Sequence, residues 1–186
     1  MVFFVAEIGS NWCGSVDLAK RTIRACKEAG ADAVKFQMWR SIDLYKEDYS
    51  KYELTFEKAR EIKAYCDSIG IEFFCSVFYP EAVDFLEELG VKRYKISSRT
   101  FKQEDPYSNE TILRLLETGK SIIGSNGHIP KNNYYELYCI PEYPTNPDKI
   151  DWEKIRNYDG FSDHTLGIES ALKYAKLRPD CIIEKH

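Results

Sequence analysis

The sequence predicts a parallel α/β protein whose strands close into a (β/α)8 TIM barrel. Three observations carry that expectation. Short apolar runs and amphipathic stretches alternate along the 186 residues until eight strand candidates have been counted. Lysine, glutamate, serine and histidine recur at the ends of those runs, two residues apart, as side chains sharing one face of a strand do. The glycine fingerprint GxGxxG, which would favour an open doubly wound sheet, is missing after the first run.

Each element has a local reason. FFVAEIG (3–9) is followed by a helix from Ser15 to Ala29, in which Val16, Ala19, Ile23 and Cys26 recur at helical spacing before Gly30 stops it. AVKFQ (33–37) precedes a long polar connection and a helix around Phe56–Ile69, closed by Gly70. IEFFCSVF (71–78) leads to PEAVDFLEELG (80–90), a helix opened by proline and closed by glycine, and then to VKRYKISS (91–98). A helix near Asn109–Thr118 precedes SIIGSN (121–126). Only HIPKNN then separates that run from YYELYCIP (134–141), too little for a crossover helix. Asp151–Arg156 allows at most a short helix before DGFSDHT (159–165). GIESALKYAKL (167–177) is helical, and CIIEKH (181–186) is the eighth strand. One domain over residues 1–186 is expected, small beside the ~250 residues typical of such barrels, with no eighth helix.

Composition narrows the function classes. With 26 basic and 30 acidic side chains the net charge is −4, and the 44% apolar content suits a packed soluble domain. Mild acidity without basic runs argues against nucleic acid, although a local lysine cluster can still attract a small anion. No stretch approaches the ~20 apolar residues of a membrane span. MVFFVAEIGS lacks the basic start and cleavage site of a secretion signal, so a cytoplasmic location is expected. The six cysteines lie far apart without a CxxC pair and are expected as buried free thiols.

Strand ends carry the chemistry. Glu7 ends the first run; Lys35 and Gln37 share parity on the second, Lys95 and Ser97 on the fourth, Ser162 and His164 on the seventh, Glu184 and His186 on the eighth. A lone lysine at such a place is ordinarily solvated or ion-paired, and Glu7 and Glu184 are possible partners for Lys35 or Lys185. Their repetition points instead to one polar site at the C-terminal mouth of the barrel. Two of the three histidines end neighbouring strands and suggest a shared divalent metal, whereas His128 reads as surface.

These residues fall in motifs. AEIGSNWCG, ADAVKFQ, YKISS, GFSDHTLGIE and IEKH resemble, in order, the strand-end motifs of the sialic acid synthase (N-acetylneuraminate synthase) family. The resemblance implies condensation of phosphoenolpyruvate with an N-acetylated aldose to a 2-keto sugar acid, with a divalent metal, usually Mn2+, activating the aldehyde. It places the metal on His164 and His186, phosphoenolpyruvate on Lys35, Lys95, Ser98, Ser125 and Ser162, and further substrate contacts on Gln37, Asn11 and Tyr143. Glu7 and Lys95 are the expected catalytic groups. Parity favours Ser97 where the motif favours Ser98, and a bulge would reconcile the two.

The departures are specific. Trp12 stands where the family has histidine, Pro141 where it has asparagine, and Thr100 where it has the glutamate expected as acid/base. Threonine does not titrate near neutrality, so slow or absent turnover is expected from this chain alone. The family's C-terminal antifreeze-like domain has no counterpart in these residues. A non-catalytic or partner-dependent relative that keeps the anion and metal site is therefore the rival reading, with a homodimer or a second chain covering the mouth.

Overall fold

In the computed structural model, which describes residues 1–186, eight parallel strands pair in sequence order and close β1 onto β8. The strands are β1 (Phe3–Gly9), β2 (Ala33–Met38), β3 (Glu72–Val77), β4 (Arg93–Ile96), β5 (Ser121–Ser125), β6 (Tyr134–Cys139), β7 (Gly160–Asp163) and β8 (Ile182–Lys185). The helices are α1 (Val16–Glu28), α2 (Ser41–Leu44), α3 (Phe56–Ile69), α4 (Pro80–Glu88), α5 (Ser98–Phe101), α6 (Ser108–Glu117) and α7 (Glu169–Leu177).

The helix limits follow the local signals. Ser15 Oγ accepts from the Leu18 amide at 3.2 Å and Thr55 Oγ1 from Lys58 at 3.3 Å, each capping free N–H groups at a helix start. Gly70 ends α3 in the left-handed region, at φ 69°. The short α2 and α5 escape the periodicity argument, because four residues make barely one turn.

The fifth crossover has no helix, as its length required. Asn126 spans the gap instead: its side chain donates to the Cys139 carbonyl at 2.5 Å and accepts from the Cys139 amide at 3.1 Å. Asp151–Arg156 contributes no α-helix. Two 3-10 turns, Pro147–Lys149 and Lys154–Asn157, carry the sixth crossover. Ile150 and Ile155 pack there against Phe161, Tyr174 and Ile183.

Inward-pointing residues form two layers. Val5, Ala33, Phe74, Ile123, Leu137 and Ile182 make a dry cluster filling the barrel floor. Two residues further along the strands, the same face becomes polar: Glu7, Lys35, Ser76, Lys95, Ser125, Ser162 and Glu184, all buried. The larger apolar core lies outside, where residues such as Val34, Phe36, Phe73 and Tyr94 meet Ile23, Ile62 and Leu86 of the helices. Burying a side chain of this size contributes roughly 1.5–3 kcal/mol. The apolar floor and outer core supply the stability that lets a ring of charges sit inside the barrel.

All six cysteines are free, but Cys13 is exposed, contrary to the expectation of burial. It lies in a surface turn at φ 53°, where no strand or helix covers it. No helix is long and apolar enough to cross a membrane.

Candidate functional site

The polar layer opens into a cavity of about 390 Å³ at the C-terminal end of the strands. Lys35 is one of its two buried cations. Its Nζ lies 2.6 Å from Glu7 Oε2 and 3.7 Å from Glu184 Oε2, and donates to Ser76 Oγ at 2.9 Å. Burial opposes the charge on Lys35, but Glu184 and Glu7 outweigh it and hold the ammonium above the ordinary lysine value. Lys95 is treated differently. It donates to Ser125 Oγ at 2.7 Å and to the Ile96 carbonyl at 3.1 Å, with Glu184 Oε1 at 3.8 Å. Burial, only partly offset by Glu184 and reinforced by Lys35, pushes its pKa down.

Glu184 links the cations to the histidines. Burial alone would raise its pKa; Lys35 and Lys95 together hold it well below the ordinary carboxylate value. Ser162 Oγ donates to Glu184 Oε1 at 2.8 Å, and the Nε2 atoms of His164 and His186 converge on the same hydroxyl at 3.4 and 3.3 Å. Glu7 is fixed from the other side by Gln37, whose Nε2 donates to it at 2.8 Å. Gly9, at φ 52° beside a register shift in β1, leaves room for that bond: a Cβ there would sit 3.0 Å from Glu7 Oε1.

The two imidazoles suit an open metal position. The Ile140 carbonyl can only accept, so the 2.7 Å contact from His164 Nδ1 puts the proton on Nδ1 and leaves the Nε2 lone pair facing the cavity. Burial, with His186 nearby, lowers the His164 pKa to about 3, so the ring is neutral at physiological pH. The ring centroids of the two histidines are 4.2 Å apart, and Tyr143 stacks on His164 at 3.9 Å. No group of three or more His, Cys, Asp or Glu side chains surrounds one point. A metal held here would keep most of its coordination sphere for water and substrate oxygen.

Most residues expected from the sequence meet at this cavity. Lys35, Gln37, Lys95, Ser98, Ser125, Tyr143, Ser162, His164 and His186 line it, and Glu7 backs Lys35 from within the wall. Asn11 does not belong to it. It sits exposed in the turn after β1, its backbone amide bonded to the Ile8 carbonyl, and it does not line the cavity. Ser97 and Ser98 both line the cavity, but no bulge reconciles them: β4 stops at Ile96 and Ser97 caps α5, so the helical turn presents both residues. The acidic partners also sort themselves, since Glu7 and Glu184 pair with Lys35, while Lys185 lies 3.4 Å from Asp163. His128 is surface, 72% exposed.

Other lining residues were not singled out from the sequence. Ser76, Trp39, Arg99, Glu104 and Cys139 belong to the walls. Ser76 could have been found by asking which inward position of β3 faces Lys35. The loop residues offered no periodic signal.

Thr100 is not in the cavity at all. It is fully buried behind the wall, donating to Asp105 Oδ2 at 2.9 Å and sharing a 2.9 Å bond with Ser97 Oγ. Glu104 is the carboxylate that the α5 turn presents to the cavity, and its side chain makes no ion pair.

A closed parallel barrel with buried lysines, hydroxyls and paired imidazoles around a cavity at its C-terminal mouth is a (β/α)8 barrel with its polar site where such barrels keep their chemistry. The chain belongs to the NeuB family, whose sequence profile matches residues 22–186. It is 28% identical to the human N-acetylneuraminate-9-phosphate synthase, over 99% of this chain and 61% of that protein. It is 29% identical to the N,N'-diacetyllegionaminic acid synthase of Legionella pneumophila, over 99% of this chain and 63% of that protein. The chain thus spans about three fifths of the length of these relatives. A crystal structure of the Leptospira borgpetersenii sialic acid synthetase with citrate superposes at a TM-score of 0.85 with 27% identity, covering 100% of this chain and 72% of that one.

Proposed function

We propose that this chain binds phosphoenolpyruvate at the lysine–serine cavity and condenses it with an N-acylated aldose to form a 2-keto sugar acid. The observation that carries the reading is the placing of Lys35, Lys95 and three serine hydroxyls in one buried polar layer beside two imidazoles. Charge-assisted bonds from ammonium groups are the strong contacts for a phosphate and a carboxylate. The family relationship and the names of the relatives support the same reaction class.

The charges within the layer balance, since Lys35 and Lys95 face Glu7 and Glu184. A bound anion therefore needs further positive charge. Arg99 on the wall supplies part of it, although Asp105 holds its guanidinium at 2.5 Å. A divalent cation, Mn2+ in this reading, held by His164 and His186 would supply the rest and polarise the aldehyde as a Lewis acid. In the condensation, C3 of phosphoenolpyruvate bonds to the aldehyde carbon, water adds at C2, and the C–O bond to phosphate breaks. Lys35 and Lys95 orient the two anionic groups, and Tyr143 shields the imidazoles. Thr100 contributes no acid/base function from its buried position; Glu104 is the free carboxylate on the wall.

The test is phosphate release from phosphoenolpyruvate with Mn2+ across a panel of N-acylated aldoses. Sugar-dependent release, abolished in Lys95→Ala, supports the proposal. Binding of phosphoenolpyruvate without release under any condition supports the non-catalytic relative, which the absence of a titrating group at Thr100 favours.

A further inference from the structure

One cysteine lines the cavity, and it faces the imidazole nitrogen that lacks a partner. Cys139 ends β6 and is only 7% exposed; the other five cysteines lie outside the lining. Asn126 holds its amide and its carbonyl together, so the backbone that carries the thiol is fixed. Its Sγ lies 4.0 Å from His164 Nε2, the outer limit of a sulfur hydrogen bond.

That nitrogen has no good proton donor. His164 is 6% exposed, and its Nδ1 hydrogen is committed to the Ile140 carbonyl, so Nε2 can only accept. Ser162 Oγ is 3.4 Å away, but its single hydrogen goes to Glu184 Oε1 at 2.8 Å. His186 is engaged differently, with its Nε2 3.3 Å from the same carboxylate oxygen. A buried acceptor without a donor is costly, and a cation on the lone pair removes that cost.

Sulfur and nitrogen at this separation fit one ion. Zinc bonds sulfur at about 2.3 Å and imidazole nitrogen at about 2.0–2.1 Å, so one ion spans at most about 4.4 Å, and about 3.6 Å when tetrahedral. A small turn of the Cys139 side chain closes the difference. Burial pushes the thiol pKa up, so the ion has to displace a proton. The S–H bond breaks, a sulfur–metal bond forms on the same electron pair, and the proton leaves to solvent. Thiolate with imidazole prefers zinc-class ions to Mn2+, which suits oxygen ligands.

We propose that Cys139 Sγ and His164 Nε2 together bind a thiophilic divalent cation of the Zn2+ or Co2+ kind, and that this ion and Mn2+ exclude each other because both need His164. The inference rests on the reading of His164 as a metal ligand and on nothing in the condensation itself.

The metal-stripped full chain would be titrated with Co2+, Zn2+ and Mn2+. One equivalent of Co2+ should produce the near-ultraviolet sulfur-to-cobalt charge-transfer band. Zn2+ should bleach that band stoichiometrically, and Mn2+ only at about a hundredfold higher concentration or more. The band should vanish in Cys139→Ser and need about tenfold more Co2+ in His164→Ala. If Cys139→Ser melts early without metal, cadmium NMR of the parent protein at one equivalent decides. A resonance in the downfield range of thiolate ligation supports the site, and one in the nitrogen–oxygen range overturns it. A cobalt band that survives Cys139→Ser, or Co2+ binding with no sulfur band, also overturns it. Mn2+ binding with no sulfur band from Co2+ leaves the Mn2+ reading standing alone. A sulfur band without any Mn2+ binding strikes that reading and keeps the thiolate site.

Discussion

The carboxylate of Glu7 lies 2.6 Å from the ammonium of Lys35, with both side chains only 3% exposed inside the barrel wall. A buried pair of this kind is weak evidence of net stabilisation, but breaking it from one side is costly. Glu7→Ala should lower stability by about 3–5 kcal/mol, because it leaves Lys35 with only the more distant Glu184 and releases Gln37 as well. Chemical denaturation checks this. The double variant Glu7→Leu/Lys35→Met should recover most of the loss while abolishing anion binding. Equal stability of Glu7→Ala and the parent would show that the pair is solvated and that the layer is not closed.

Acid should destabilise the metal-free protein in two stages. His164 has a folded pKa of about 3 against 6.5 for a free imidazole, so between those values the unfolded chain binds more protons and stability falls as pH falls. The full shift corresponds to roughly 4–5 kcal/mol. Glu184, held well below 4.5, acts with the same sign: its contribution is present above the ordinary carboxylate value and is lost as pH drops through the folded one. Unfolding measured from pH 7 to 3 should show His164→Gln flattening the stretch above about pH 4.5 while keeping the steeper loss beneath. An unchanged slope above pH 4.5 would contradict the buried, neutral state of His164.

Thr100→Glu should fail to create an acid/base group. The hydroxyl of Thr100 is fully buried against Asp105 Oδ2. A carboxylate placed there would face another carboxylate without water, at a cost of about 3 kcal/mol or more. Thr100→Val should lose about 1.5–3 kcal/mol, the worth of a hydrogen bond to a charged group, without adding a buried charge. Calorimetric melting separates the two. A stable Thr100→Glu protein with restored phosphate release would show that the turn swings out and that its burial is not enforced.

The barrel was legible because its strands obey a simple rule. Most inward faces pass from apolar to polar over two residues, as in Val5 to Glu7, Ala33 to Lys35 and Ile182 to Glu184. That parity located Lys35, Lys95, Ser162 and both histidines without reference to loops. It failed where loops decide. Asn11 and Thr100 sit in turns whose direction depends on tertiary packing, so sequence position gave no guide to which way they face. Trp39, Tyr45 and Glu104 enter the site for the same reason and were invisible to periodicity.

Calorimetric titration of phosphoenolpyruvate with and without Mn2+, on the parent protein and on His164→Ala, tests the central claim. Lys35 and Lys95 are balanced by Glu7 and Glu184, so anion and metal should bind with positive coupling, Mn2+ tightening phosphoenolpyruvate about tenfold or more. In His164→Ala the tightening should vanish while the weak metal-free binding persists. Binding that is equally tight with and without Mn2+, or a parent protein that takes up no phosphoenolpyruvate in either state, would contradict the account.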